Sequence, residues 1–111
     1  MGLNVIQIDY LDLSIDVSGG SGSVIFFLTG KIDKIAITGP DGTADPTTDY
    51  EITDADSNGI LGKSNVQLVG NPGRTTLAVV NGLCHKTNTF TLSNASVDGT
   101  WNVRIWTEFA V

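Results

Sequence analysis

WNVRIWTEF, residues 101–109, sets Trp101, Val103, Ile105, Thr107 and Phe109 at alternate positions, with Asn102, Arg104, Trp106 and Glu108 between them. Successive side chains of a strand point to opposite faces, so this spacing predicts a strand with one apolar and one polar face. Trp101 falls in the apolar set and is expected in the core. Trp106 falls with Arg104 and Glu108, and a large ring beside charges on an outer face is a candidate interface anchor.

The same period recurs upstream, where Leu11, Leu13, Ile15 and Val17 alternate with Asp12, Ser14 and Asp16. Ile6, Ile8 and Tyr10 alternate in the opposite phase, which predicts a bulge or break between Tyr10 and Leu11. Residues 1–10 are therefore expected as an extended N-terminal arm, ahead of a sandwich domain over residues 11–111. SGGSGS (18–23) reads as a hairpin loop, and VIFFLT (24–29), an unbroken apolar run, as a strand covered on both sides. Ile32, Ile35 and Ile37 mark the next strand, after which Pro40 and Pro46 bound a long turn region, because proline gives the ladder no N–H. Further strands are read at Tyr50 and Ile52, over NVQLV (65–69) and TTLAVV (75–80), and at Phe90 and Leu92; NGILGKSN (58–65) has room for one helical turn. About seven to nine short strands at this spacing predict an all-β fold: a single antiparallel β-sandwich, jelly-roll or immunoglobulin-like.

Composition agrees with one globular unit. The chain has 111 residues, 41% of them hydrophobic and 16% charged. Its net charge of −6 repels nucleic acid and anionic membranes, so neither is an expected partner. One cysteine makes no internal disulfide, and one histidine makes no histidine metal cluster. The N-terminal sequence has no basic start followed by an apolar block, and no apolar run approaches the roughly 20 residues of a membrane helix. The expectation is a soluble protein made in a reducing cytoplasm.

ITDADSNGILGK (52–63) sets Asp54, Asp56, Asn58 and Gly59 at the first, third, fifth and sixth places of a calcium loop. Such a loop ends in a bidentate glutamate at its twelfth place and lies between helices. Here that place holds Asn65, and the flanks read as strands. Asn58-Gly59 is also a hairpin signal, so the stretch is expected to be a turn, with Asp54, Asp56 and Asn58 as a weak alternative metal site. No cofactor is implied. Cys84, His85 and Lys86 are adjacent, but neighbours on a strand face opposite ways, so Cys84 and His85 make no nucleophile–base pair. Asp54 and Asp56 read as solvated turn carboxylates, and SGGSGS lacks the lysine and hydroxyl residue of a phosphate loop.

Pro46, Thr47, Thr48, Tyr50, Ile52, Asp54, Gly59, Leu61 and Gly62, then Gly82, Leu83, Phe90, Leu92, Ser93, Asn94 and Ala95, before the closing GTWNVRIW, make up segments that resemble those of small tailed-bacteriophage virion proteins, which are made in the host cytoplasm. At position 60, where the family often has an acidic residue, this chain has Ile60. The resemblance implies a structural particle protein with no catalytic residue: a decoration or cement protein on the capsid surface that bridges and stabilises major capsid protein subunits. A homo-oligomer is expected, a trimer among the arrangements. The alternatives are a head–tail connector, neck or tail-associated protein, and a carbohydrate-binding or adhesin-like sandwich using Trp106. The expected partner-binding residues are Leu3, Val5, Ile6 and Ile8 of the arm, and Arg104, Trp106 and Glu108 of the last strand.

Overall fold

Alternating apolar and polar side chains build ten strands, in chain order β1 (Ile6–Val17), β2 (Gly22–Phe27), β3 (Gly30–Thr38), β4 (Thr47–Asp54), β5 (Gly59–Gln67), β6 (Val69–Gly70), β7 (Gly73–Ala78), β8 (Leu83–Cys84), β9 (Thr87–Ser93) and β10 (Gly99–Ala110). The computed structural model describes residues 6–79 and 82–110; the side chains of residues 6–9 and 108–110 lie outside that description. One sheet has the order β1-β10-β3-β7-β6, with β8 paired to the start of β3, and the other the order β2-β9-β4-β5. Every pairing is antiparallel. The fold is the expected all-β sandwich.

The inner faces meet in one core. Ile15, Ile32, Ile35, Ile37, Trp101, Val103 and Ile105 of the first sheet pack with Phe26, Ile52, Phe90 and Leu92 of the second. Each buried side chain of this size stabilises by about 1.5–3 kcal/mol relative to exposure. Tyr50 and Phe90 stack with ring centroids 5.6 Å apart. Trp101 is fully buried, as its parity predicts, and its indole N–H donates to the Val97 carbonyl at 3.1 Å.

Four local expectations are corrected. No break separates Tyr10 from Leu11: β1 pairs with β10 in one register from Ile6↔Ala110 to Val17↔Gly99, and the irregularity lies one strand away, between β10 and β3 at Trp106/Thr107. The opposite phase of Ile6, Ile8 and Tyr10 therefore marks no break in pairing. An amphipathic ring is stable on the outer face, and Tyr10 stands there, 55% exposed. Of the expected arm, residues 6–10 are thus paired with 106–110.

Second, β2 is not covered on both sides. It is an edge strand whose Ile25 and Phe27 point outward, 61% and 75% exposed. Third, SGGSGS does form a two-residue turn, with Gly19 and Gly20 at φ 65° and 84°, but the strands it joins enter opposite sheets. The crossing is tight: a Cβ at Gly22 would collide with the Asp16 carbonyl oxygen. Asp98 fastens the turn from across the fold, accepting the Gly19 N–H at 3.0 Å and the Gly20 N–H at 2.9 Å. Fourth, NGILGKSN holds no helical turn and lies in β5. Its pairing with β4 shifts register near Asn65, which has φ 56° and donates its N–H to Asp49 at 2.8 Å.

Candidate functional site

The register of four strands lays out the outer face of the first sheet as a grid. Tyr10, Trp106, Lys34 and Ala78 form one row, Asp12, Arg104, Ala36 and Thr76 the next, and Ser14, Asn102, Thr38 and Arg74 the third. Cross-strand neighbours stand about 4.5–5.5 Å apart at Cβ, so side chains within a row meet. Arg104 donates from Nε to Asp12 Oδ1 at 2.7 Å and from Nη2 to Oδ2 at 2.9 Å. Its guanidinium carbon lies 4.2 Å from the Tyr10 ring centroid and 5.9 Å from that of Trp106. Lys34 Nζ lies 4.7 Å over the Trp106 ring. The hydrogen bond from Arg104 holds the Asp12 carboxyl below the usual carboxylate range, and the same bond raises Arg104.

Trp106 is therefore half-buried under two cations, and the exposed ring of this face is Tyr10. Arg104 and Trp106 come together as their shared parity predicts. The Glu108 backbone pairs with Ile8 in the same two-strand ribbon, and Ile6 pairs with Ala110. The two predicted partner surfaces thus share β1 and β10; Leu3 and Val5 lie outside the described residues. Reading the residues missed Asp12, Tyr10 and Lys34 as members of this face. Tyr10 and Asp12 are two apart, which was the available signal, whereas Lys34 is placed by register alone.

Beside this cluster the face dips into a depression of about 310 Å³ bordered by Asp12, Ser14, Thr38, Arg74, Asn102 and Arg104. Ala36 faces outward between Arg104 and Thr76, yet is only 2% exposed. A methyl group sunk among long neighbours makes the floor.

The stretch at 52–63 is a turn, of a different kind from the one its Asn-Gly suggests. β4 ends at Asp54, β5 starts at Gly59, and the left-handed residue is Ser57 at φ 63°. Asp54 Oδ1 accepts the N–H groups of Asp56 and Asn58, both at 2.9 Å, and Oδ2 accepts Asn58 Nδ2 at 3.3 Å. These bonds hold the Asp54 carboxyl below its ordinary range, that from the Asn58 N–H most of all. Three donors of its own loop therefore already occupy this carboxylate. Asp54, Asp56, His85 and Lys86 border a hollow of about 240 Å³, and among the described residues no group of three or more His, Cys, Asp or Glu is placed to hold a metal.

Cys84 is buried at the end of β8, paired with Gly30 at the start of β3, while His85 is exposed, so the two face apart. Burial pushes the Cys84 thiol up to about 11, opposite to what a nucleophile needs. On the other sheet, Ile25 and Phe27 stand beside Thr89 and Thr87, with Thr53 beyond Thr89.

No protein-family model matches the chain, and no curated protein does. Among solved structures the chain is similar to the carbohydrate-binding module TmCBM61 in complex with β-1,4-galactotriose, at 13% identity over 96% of this chain and 82% of that one, with a TM-score of 0.45. It is similar to a chain of the cyanophage Pam1 capsid asymmetric unit, at 14% identity over 97% and 86%, with a TM-score of 0.47. It is also similar to the enzymatically active domain of bacteriophage CBA120 tailspike protein 4, at 14% identity over 98% of this chain and 18% of that one, with a TM-score of 0.38. All three are β-rich, and their likeness to this chain is at that level.

Proposed function

We propose that this chain is a non-enzymatic structural protein of a tailed-phage virion, a decoration or cement protein that bridges and stabilises major capsid protein subunits on the capsid surface. The observation that carries the reading is the apolar edge of the second sheet, where Ile25 and Phe27 are 61% and 75% exposed. Their cross-strand neighbours are threonines, not charges. Aromatic, charge-poor surface is the composition of an interface centre. Bridging needs a second surface, and the Tyr10–Arg104–Trp106 face lies on the other sheet, with β1 as its edge strand. An edge strand is a template for another chain, so β1, with the arm residues Leu3, Val5, Ile6 and Ile8, pairs with a capsid subunit or a second copy. The segments that resemble phage virion proteins lie mainly in β4, β5, β8, β9 and β10 and support the same reading.

Rebinding to purified particles stripped of the protein tests it. The parent chain is expected to rebind, and Phe27→Ser to stay folded while binding at least about tenfold more weakly. Trp106→Ala and deletion of residues 2–8 are expected to weaken binding from the other side. Equal binding by all three variants would remove these surfaces from the interface, and failure of the parent to bind would remove the particle role.

A further inference from the structure

The depression on the first sheet's outer face combines three features that its part in the Trp106 surface does not explain. The first is charge. In a chain of net charge −6, both arginines, Arg74 and Arg104, border the depression, and Lys34 stands one row away over Trp106. The second is an uncommitted cation. Arg104 is bound to Asp12 through two hydrogen bonds, whereas Arg74, exposed at the far wall, has no ion-pair or hydrogen-bond partner among the described residues. The third is the mixed lining. Asn102 Oδ1 accepts from Ser14 at 3.2 Å, leaving both amide hydrogens of Asn102 free, and the Thr38 hydroxyl has no partner among the described residues. The Asp12 carboxylate keeps lone pairs beyond the two that Arg104 uses.

These features select a ligand. Arg74 calls for an anion, while Asp12, Ser14 and Thr38 offer acceptors that only donors can satisfy. A peptide carboxylate brings the charge without the hydroxyls. A phosphate chain needs several free cations and meets a carboxylate here. A polyhydroxylated acid meets both demands, and 310 Å³ is at the lower end of small-ligand sites. We propose that this trough binds a carboxylated saccharide, with its carboxylate on Arg74 and its hydroxyls on Asp12, Ser14, Thr38 and Asn102. The wall is built in advance, because the Arg104–Asp12 fork fixes two of its side chains on strands, and ordering them costs nothing further on binding. The site does not rest on the particle role.

Calorimetric titration of the full chain at low salt with trimers of galacturonate, guluronate and mannuronate tests it. At least one trimer is expected to bind with Kd below about 1 mM, and its methyl ester at least about tenfold more weakly. Arg74→Gln, on an exposed side chain, is expected to weaken binding about tenfold. Ala36→Leu fills the floor and is expected to abolish binding while sheet circular dichroism is unchanged. The assignment is overturned if no trimer binds, if the ester binds as well as the acid, or if Arg74→Gln binds like the parent. None of these results bears on particle rebinding, so the two readings fail separately.

Discussion

Asp98 fastens the Gly19–Gly20 turn, and its two backbone N–H bonds, the Gly20 one foremost, hold its carboxyl below the ordinary 3.8. Asp49 and Asp54 are lowered in the same direction, each first by a backbone N–H. A carboxylate depressed in the folded state adds stability that is complete above its unfolded pKa and is lost as pH falls through its folded pKa. The melting temperature should therefore be level above about pH 5 and fall below about pH 4, with Asp98→Asn showing a shallower fall. Melts of parent and variant from about pH 7 to about pH 2 check this, and superimposable slopes would contradict it. Asp54 also sets an expectation for calcium. A micromolar site saturated a hundredfold would add about 2.7 kcal/mol, but a carboxylate committed to its own loop should give a negligible shift on adding chelator. A shift of several degrees would restore Asp54, Asp56 and Asn58 as ligands. At this scale the sequence was legible where the chemistry is local: the opposed faces of Cys84 and His85 follow from strand period alone. The Asp98 clamp was not, because Asp98 and Gly19 are 79 residues apart and no spacing rule connects them.

At the scale of elements, period two carries the inward sets of β1, β4, β9 and β10, since each of these has a core on one side only, whereas in β3 the period slips between Ile32 and Ile35, where its pairing with β10 shifts register. β2 was misread because VIFFLT has no alternation. An unbroken apolar run states that a strand tolerates cover on both faces, not that cover exists. Its position at a sheet edge is settled by pairing with β9, far along the chain. The difference between its faces and the core is measurable. Phe27→Ser removes a ring that is already 75% in solvent, so stability should stay within about 0.5 kcal/mol of the parent. Phe90→Ala empties a fully buried position stacked on Tyr50 and should cost about 3–5 kcal/mol. Urea unfolding of both variants checks the contrast, and comparable losses would mean that β2's outer face is packed within the protein. The outer-face grid was half legible. Arg104 and Trp106 share parity, but the row that brings Lys34 and Tyr10 to them exists only once three strands are in register.

The whole molecule is a slab of about 52 × 31 × 19 Å, and its longest strands, the twelve-residue β1 and β10, run side by side. Its two outer faces differ in kind. One carries a cation–aromatic cluster and a polar trough, and the other an apolar edge among threonines. A thin slab with two unlike faces can touch two neighbours at once, which is the geometry a bridging protein requires. That division was out of reach of the sequence, because it depends on which strands lie in which sheet. The sandwich itself was within reach, because it depends only on period and turn chemistry. The most direct measurement of the proposed role is the number and position of copies in purified virions, counted by quantitative mass spectrometry and located by electron cryomicroscopy. A decoration protein should be present in hundreds of copies over the shell, in contact with the major capsid protein. Six or twelve copies at a single vertex, or none in the particle, would contradict it.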